Sequence, residues 1–459
     1  MAIPLILLIS VVMLLFFAPK GSNNDMALAV AEEEEREEEE REEEEREEED
    51  IEPTFSMYDG MPDIKDSRLK LEEVAANIEL PTSMAFLGPD DILVLEKDKG
   101  TVKRIVNGKM LEKPVLDVNV GSSLERGMLG IAIAKNEFNT TVFLYFTEAR
   151  ENNDGTDKCY KDKDKSIHCA YENEPLGNRL YRYDFLNGNL VNPKLILDVP
   201  AALGHPIPNR HNGGPVLIGP DQNVYVVIGD VDRKSQAQNI RGGVKPDGSG
   251  GILRVTQNGG LAGGGILSNE HPLNLYYAYG IRNSFGLDFD PITGNLWDTE
   301  NGDDNSDEVN LIEPGFNSGW RVIMGMSSFE DEFASGDLVD FRGNGKYSDP
   351  EFVWSNIVGP TAVKFLGSDK LGVEYENDMF VADVHKGNIY HFELNDERTD
   401  LELDGVLEDR VANTDDELEG IIFGRDFGGI TDMEVGPYDG CMYIVSITQG
   451  KIFKISSSE

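Results

Sequence analysis

Cysteine, tryptophan, histidine and basic residues are all scarce in this chain of 459 residues. It contains 3 Cys, 3 Trp and 6 His, and 85 Asp and Glu outnumber 41 Lys and Arg, which gives a formal net charge of −44 at pH 7. So large an acidic excess disfavours nucleic acid and anionic lipid as partners, because both are polyanions. Long helical patterns are also lacking, which argues against an α/β barrel.

The three cysteines offer too few ligands for a metal site. Cys159 and Cys169 flank a polar stretch rich in Lys and Asp, where they could close a small surface loop as a disulfide. Cys441 lies in an apolar strand pattern and is predicted to be a buried thiol.

The first 31 residues differ in composition from the rest of the chain. Residues 2–18 are apolar, a length that suits a signal-peptide core or a short membrane anchor, although no Lys or Arg precedes them. We expect residues 1–31 to be a signal peptide or a membrane anchor. The chain is then extracytoplasmic, either secreted or tethered to the outer face of the membrane, and this segment is its only membrane contact.

A dense acidic tract follows over residues 32–50, with fifteen Glu, one Asp and three Arg. Such a tract cannot bury apolar surface and repels itself, so residues 32–65 are predicted to be a disordered linker. The folded domain is then 66–459, which is long for one compact core but normal for a repeat that closes into a ring.

One strand–turn–strand pattern recurs six times between Leu80 and the C-terminus. Each copy has a short apolar strand, a Gly/Pro/Asp turn, a second strand rich in β-formers, a Gly turn and a third strand. This alternation predicts antiparallel hairpins. The copies begin at Ser83, Gly127, Gly214, Phe285, Thr361 and Ile430.

The repeat predicts an all-β fold, a six-bladed β-propeller of four-stranded antiparallel blades. The sixth copy ends after its third strand, and residues 68–80 form a spare strand pattern before the first copy. We expect this N-terminal strand to complete the last blade, because closing a propeller in this way hides both sheet edges.

A propeller brings the residues before each innermost strand, and those after each second strand, to one mouth of its channel. His211 is the candidate general base, since imidazole titrates near neutrality, and Asp230 of the same copy could orient it. A histidine with no role is the alternative, but Arg282 and Asn283 converge on the same mouth. Further polar residues predicted there are Glu125, Arg126, Arg210, Asp383, His385 and Lys386.

The run 300–308, ENGDDNSDE, is rich in oxygen ligands and interrupted by glycine, as in calcium loops. Its spacing is not that of an EF-hand, and a plain turn remains the alternative.

From Leu80 to Ile455 the chain resembles the soluble PQQ-dependent glucose/aldose sugar and sorbosone dehydrogenases. HNGGPVLIGPDQNVYVVIGD from His211 and YGIRNSFGLDFDPITGNLWDTENG from Tyr279 carry the resemblance. It implies a PQQ- and calcium-dependent oxidoreductase of aldose sugars or related alcohols, which passes hydride to the quinone and serves an unidentified electron acceptor.

The resemblance also implies roles for individual residues. His211, backed by Asp230, is the general base. Arg282 and Asn283 contact the quinone, Glu125 stands where the family has a glutamine, and His385, next to Lys386, replaces a quinone-binding lysine. Carbonyls of Gly302 and Asp303 hold calcium, and Asp307 and Glu308 belong to a second calcium site, where Ser318 replaces a tyrosine.

The chain departs from the family most strongly at Gly429 and Thr431, which replace two arginines that clamp the PQQ carboxylates. Losing such charge-assisted partners weakens binding unless Arg126, Arg210 or Lys386 substitutes for them. This departure keeps two alternatives open. One is a non-catalytic extracellular propeller that binds glycan or protein, and the other is a calcium-dependent hydrolase or lactonase.

Overall fold

A computed structural model describes residues 58–122, 124–150, 158–161, 167–170, 175–201, 210–231, 233–329 and 333–458, of which 158–161 and 167–170 as backbone only. Thr54–Lys161 and His168–Glu459 belong to one compact unit. The predicted signal or anchor and the acidic tract lie outside the described residues. In the part that is described, no helix has the length and apolarity needed to cross a membrane.

The described chain is built from short strands. They are β1 (Asp63–Ile64), β2 (Leu69–Ala75), β3 (Pro81–Gly88), β4 (Asp91–Glu96), β5 (Thr101–Val106), β6 (Lys109–Met110), β7 (Leu116–Asp117), β8 (Met128–Lys135), β9 (Thr140–Glu148), β10 (Lys158–Lys161), β11 (Ile167–Ala170), β12 (Gly177–Leu186), β13 (Asn189–Val199), β14 (Val216–Ile218), β15 (Val224–Ile228), β16 (Gly251–Val255), β17 (Tyr276–Tyr279), β18 (Ser284–Phe289), β19 (Leu296–Glu300), β20 (Asp307–Ile312), β21 (Phe316–Asn317), β22 (Lys346–Tyr347), β23 (Phe352–Trp354), β24 (Pro360–Phe365), β25 (Met379–Asp383), β26 (Ile389–Phe392), β27 (Val411–Ala412), β28 (Ile422–Arg425), β29 (Ile430–Val435), β30 (Met442–Ser446) and β31 (Lys451–Ser457).

Helices within the described ranges are short and of the 3-10 type, and the longest has 6 residues. These helices are Gln236–Gln238, Leu273–Leu275, Ser327–Phe329, Ser335–Asp337, Val373–Tyr375, Gly405–Leu407 and Asp415–Gly420. The all-β prediction is therefore confirmed.

Six sheets of the described chain have four or more strands, and β10 and β11 form a further small sheet. Their orders are β3-β4-β5-β6 with β7 on β5, β13-β12-β9-β8, β14-β15-β16-β17-β21-β22, β18-β19-β20-β23-β27, β1-β28-β26-β25-β24 and β2-β31-β30-β29. The first strands of the six sequence copies, β3, β8, β14, β18, β24 and β29, contact one another in succession, and β29 contacts β3. Sheets arranged around a common axis in this way make a β-propeller.

The sheets are larger than the uniform four-stranded units that the sequence predicts. Only two of the six have four strands, and the others have five or six. The additional strands are short and lie at outer edges, where several pair in parallel, as β22 does with β21 and β27 does with β23. Loop segments that the repeat left unassigned supply them, so the prediction of four strands per sheet was wrong for these sheets.

The spare strand predicted over residues 68–80 is β2, and it pairs antiparallel with β31 next to the C-terminus. Strand β1 pairs with β28, so the folded chain begins before residue 66, where the linker was predicted to end. Ile64 explains the difference, because its side chain packs against an apolar cluster that includes Phe423 and Phe427.

Removing β2, which pairs with β31, is expected to destabilise the domain. A chain that begins at Asn77 lacks β1 and β2. This leaves the edge of β31 unpaired and exposes the apolar side chains that pack against Leu69. We expect the free energy of unfolding to fall by about 3 kcal/mol or more, since each buried aliphatic side chain contributes about 1.5–3 kcal/mol. Urea unfolding measures this against a chain that begins at Tyr58. Equal unfolding midpoints for the two chains would contradict the expectation.

A charged cluster joins four of the sheets inside the ring. The ammonium group of the buried Lys364 on β24 lies 3.3 Å from Asp288 on β18 and 3.1 Å from Glu434 on β29. Asp432 accepts hydrogen bonds from the Ser83 hydroxyl at 3.0 Å and the Met84 N–H at 2.7 Å, both on β3. Withdrawal from water and the Glu434 carboxylate raise the pKa of Asp432 to about 8.

Candidate active site

His211 and Asp230 form the central pair of the site. His211 precedes β14 and Asp230 follows β15, so a single hairpin places both, and His211 Nδ1 lies 2.7 Å from Asp230 Oδ1. Their side chains are only 13% and 6% exposed. Because an ionised carboxylate only accepts hydrogen bonds, Nδ1 carries the hydrogen, and Nε2 keeps a lone pair that can take a proton.

The backbone at His211 has an unusual conformation. Its φ of 56° lies in the left-handed region, where residues at functional sites are often held at some cost in strain. Glu125 holds it there by accepting the His211 N–H at 2.6 Å. Gly229 is required opposite, since a Cβ at that position would lie 2.2 Å from the His211 carbonyl oxygen.

Glu125 joins two further parts of the site. The same carboxylate oxygen that accepts the His211 N–H also accepts a hydrogen bond from Asn283 Nδ2 at 3.2 Å. The three residues precede β8, β14 and β18, which are the first strands of neighbouring sheets. The structure therefore brings together three residues that the repeat predicted to meet at one mouth.

Arg282 occupies the turn that the resemblance assigns to calcium. Its guanidinium donates to the carbonyls of Asn301 at 3.2 Å and Gly302 at 2.7 Å, and to Asp303 Oδ1 at 2.7 Å. Oxygens of this kind are the ligands that calcium prefers. A calcium ion on the Gly302 carbonyl would therefore share that oxygen with the positively charged Arg282 guanidinium.

The Asp307 carboxylate holds neighbouring backbone segments together by hydrogen bonds. Its carboxylate accepts N–H groups of Gly302 at 2.8 Å, Val358 at 2.6 Å and Gly359 at 2.8 Å. Burial raises its pKa to about 6, although these N–H donors oppose the rise. Among the described residues, no group of three or more acidic, histidine or cysteine side chains is arranged to hold a metal ion.

Glu308 lies in a buried acidic group with Glu300 and Asp298. Burial raises the pKa of Glu308 to about 8, and burial together with the charges of Glu308 and Asp298 raises the pKa of Glu300 well above its usual range. Glu300 accepts the Arg282 N–H at 2.6 Å and the Ser318 hydroxyl at 2.5 Å. Sequence analysis included Glu300 in the oxygen-rich run 300–308 but gave it no role of its own, although an acid in the apolar strand LWDTE is a detectable signal.

His385 and Lys386 have partners of their own. The Lys386 ammonium forms an ion pair with Asp415, and its backbone N–H donates to Asp383 at 2.6 Å. Burial lowers the pKa of His385. Among the described residues, no hydrogen bond or ion pair joins Lys386 to His211 or Asn283.

Thr431, Gly429 and Cys441 also have defined surroundings in the structure. Thr431 donates its hydroxyl to the Pro81 carbonyl at 3.0 Å, and the Gly429 N–H donates to Thr448 at 2.9 Å. Cys441 is a buried free thiol, as predicted. The side chains of the disulfide candidates Cys159 and Cys169 lie outside the described residues.

Trp320 is a site residue that sequence analysis missed. Its indole Nε1 donates to Asp230 Oδ2 at 2.8 Å, and the Arg282 guanidinium lies 5.4 Å from its ring centre. No pattern in the sequence connects it with Asp230.

Two buried polar atoms at this mouth have no hydrogen-bond partner among the described residues. They are Arg282 Nε, a donor, and Asn283 Oδ1, an acceptor. Buried groups of this kind are normally satisfied, so their presence here is consistent with a polar ligand.

The fold and the site define a β-propeller whose mouth holds a histidine, paired with a buried carboxylate, beside an arginine. The chain belongs to the glucose/sorbosone dehydrogenase family, whose model matches residues 78–452. This confirms the resemblance seen in the sequence.

Two relatives illustrate the match. The chain is 24% identical over 398 residues to quinoprotein glucose dehydrogenase B of Acinetobacter calcoaceticus, which covers 72% of this chain and 78% of that protein. It is 21% identical over 395 residues to the aldose sugar dehydrogenase YliI of Escherichia coli, which covers 84% and 93%.

Among solved structures, the PQQ-bound aldose sugar dehydrogenase of Streptomyces coelicolor superposes with a TM-score of 0.59 at 22% identity, over 86% of this chain and 99% of that one. The apo form of the aldose sugar dehydrogenase of Escherichia coli gives a TM-score of 0.61 at 19% identity, over 85% and 99%. At these identities the likeness shows the fold, an all-β propeller.

Proposed function

We propose that this protein is an exported, PQQ-dependent dehydrogenase that oxidises aldose sugars or related alcohols with His211 as general base. The observation that carries the proposal is the His211–Asp230 pair at 2.7 Å, held beside Arg282 in a chain of the sugar dehydrogenase family. The relatives named for glucose and aldose oxidation, and the PQQ-bound solved structure, support the choice of substrate and cofactor.

The proposed reaction begins with proton transfer to His211. Nε2 takes the proton of the sugar hydroxyl as the O–H bond breaks, and Asp230 stabilises the positive charge that forms on the imidazole. PQQ, when bound, would supply the acceptor for the hydride that leaves the carbon bearing this hydroxyl, and that carbon becomes a carbonyl. Glu125 holds the backbone of His211, and thereby the direction of the imidazole, throughout this step.

Arg282 and Asn283 are the residues proposed to hold PQQ. PQQ carries three carboxylates, and a guanidinium is a strong partner for such groups. The partnerless Arg282 Nε and Asn283 Oδ1 fit a polar ligand at this mouth. Calcium is proposed at the carbonyls of Gly302 and Asp303, where it would share the Gly302 oxygen with Arg282.

The finer features of the architecture are also proposals. The six sheets whose first strands contact in succession support a six-bladed propeller, and the pairing of β2 with β31 supports its closure by an N-terminal strand. Export through residues 1–31 and a disordered linker after them remain predictions from composition.

Reconstitution tests the function directly. The purified domain is incubated with micromolar PQQ and calcium, and reduction of an artificial electron acceptor is followed over a panel of aldoses. We expect sugar-dependent reduction that is lost when PQQ is omitted and is lowered when calcium is removed by a chelator. If PQQ neither binds nor supports turnover under these conditions, the dehydrogenase proposal is wrong.

A non-catalytic extracellular binding propeller is the second candidate. Gly429 and Thr431 favour it, since they leave the start of β29 without the arginines that the resemblance predicts for PQQ. Failure of PQQ binding together with specific retention on an immobilised glycan would support it. The calcium-dependent hydrolase is not proposed, because the family that matches is one of dehydrogenases.

A further inference from the structure

Hydrogen bonds to its N–H and its carbonyl hold the backbone of Trp320 in place. Its N–H donates to the Gly280 carbonyl at 3.0 Å, and its carbonyl accepts Asn239 Nδ2 at 2.8 Å. Asn239 in turn exchanges hydrogen bonds with the buried Asn317 at 2.8 and 2.9 Å. The indole is therefore presented to the site from a rigid support.

The indole completes the hydrogen bonding of the carboxylate behind the general base. Asp230 Oδ1 faces His211 Nδ1 at 2.7 Å, and Oδ2 accepts the Trp320 Nε1–H at 2.8 Å. The backbone of Asp230 is also bound, because its N–H donates to the Arg282 carbonyl at 2.8 Å. Each carboxylate oxygen thus has its own directed donor, which fixes the plane of the carboxylate.

We propose that Trp320 is a positioning residue for the general base, acting through Asp230. This rests on the proposed dehydrogenase function. By holding Oδ2, the indole keeps Oδ1 aimed at His211 Nδ1, so that Nε2 keeps its lone pair and faces the mouth. A carboxylate without this donor can turn about its Cβ–Cγ bond and lose the alignment.

The same hydrogen bond sets the charge that faces His211. A donor on Oδ2 takes up part of the carboxylate charge, so its loss leaves more negative charge on Oδ1 and stabilises the protonated imidazole. Glu125 at the His211 N–H and Arg282 over the Trp320 ring are charged groups of the described residues that lie near the pair. Arg233 donates its backbone N–H to the Asp230 carbonyl, and its side chain pairs with Asp247.

Trp320→Phe separates this role from simple packing, because it keeps an aromatic ring and removes the N–H. Trp297→Phe is the matched control, since the Trp297 indole is fully buried and its Nε1 has no hydrogen-bond partner among the described residues. Circular dichroism and thermal unfolding of both variants establish that each is folded.

Two measurements test the proposal. In the reconstituted enzyme we expect Trp320→Phe to lower kcat about ten- to a hundredfold, as for the loss of a hydrogen bond to a charged group, with KM little changed. We also expect the acid limb of its pH–kcat profile to move to higher pH. In the protein without cofactor, NMR of labelled histidines, with His211 assigned from the His211→Gln spectrum, should show the His211 signal titrating at a higher pH than in the wild type.

The outcomes separate the inference from the function on which it rests. If Trp320→Phe titrates like the wild type and lowers kcat no more than Trp297→Phe, the positioning role is wrong. If the wild type shows no turnover with PQQ, the proposed function fails, and the NMR comparison alone still decides whether Trp320 orients the pair. A shifted His211 titration in Trp320→Phe but not in Trp297→Phe supports the role in either case.

Discussion

His211→Ala is expected to abolish sugar-dependent turnover while PQQ binding stays nearly unchanged. The substitution removes the group that takes the hydroxyl proton, and positioned general bases contribute about 10²- to 10⁴-fold to rate. His211 contacts Asp230 through its side chain and Glu125 through its backbone, so the residues proposed to hold PQQ keep their own partners. Single-turnover reduction of the bound cofactor and a separate PQQ titration measure the two effects.

His391→Ala is the matched control for this variant. His391 also pairs with a carboxylate, Asp378, at 2.8 Å, but on a different sheet and away from the mouth. It is expected to retain turnover. If His211→Ala keeps turnover within about tenfold of the wild type, His211 is not the base, since general-base catalysis contributes more than that.

Lys364→Met is expected to cost the domain about 3–5 kcal/mol of unfolding free energy. Removing one partner of a buried ion pair leaves the others as uncompensated charges, and losses of this size are typical. Lys364 is 8% exposed and contacts Asp288 and Glu434, which belong to two other sheets. Urea unfolding measures the loss, and Lys364→Arg, which keeps the charge, is expected to lose less.

The loss in Lys364→Met should depend on pH in a defined direction. The pKa of Asp432 in the folded protein is raised to about 8, so the folded state binds more protons than the unfolded state between about pH 4 and pH 8. The contribution of this group to stability therefore falls as pH rises through that window. Without Lys364 the carboxylates lose their counter-charge, so the cost of the variant should be larger at pH 8 than at pH 5. Equal costs at the two pH values would contradict this account.

The charged cluster and the His211–Asp230 pair depend on the same ring of sheets. Asp432 joins β29 to β3, and Lys364 joins β24 to β18 and β29, so the cluster ties the last sequence copy to the first. The residues before β8, β14 and β18 meet at the mouth only while that ring is closed. A variant that loosens the cluster is therefore expected to weaken activity only as far as it weakens folding.

Much of the fold was predictable because its signals are local. Alternating apolar residues and Gly/Pro/Asp turns specify hairpins within each copy, and six copies imply six first strands. The edge pairings were not predictable, because β1 pairs with β28 and β21 pairs with β22 across long stretches of chain. No local pattern names such partners.

The candidate site, too, was predictable only in part. The repeat placed His211, Asp230, Glu125 and Asn283 at one mouth, and the structure joins them by hydrogen bonds. It could not place side chains whose direction depends on a distant neighbour. Lys386, which the resemblance implies lies near the cofactor, forms an ion pair with Asp415.

By itself, the sequence determined the family, the all-β repeat and the residues that crowd the mouth, because periodicity and motif spacing are written along the chain. Only the tertiary structure decided that Trp320 binds Asp230, that Arg282 lies on the Gly302 carbonyl, and that Glu300 holds the Arg282 backbone. In each of these contacts a buried polar group meets a partner at the end of another strand, or in a loop, of the same sheet. Which partner it meets is settled only when the strands pair and the loops between them pack.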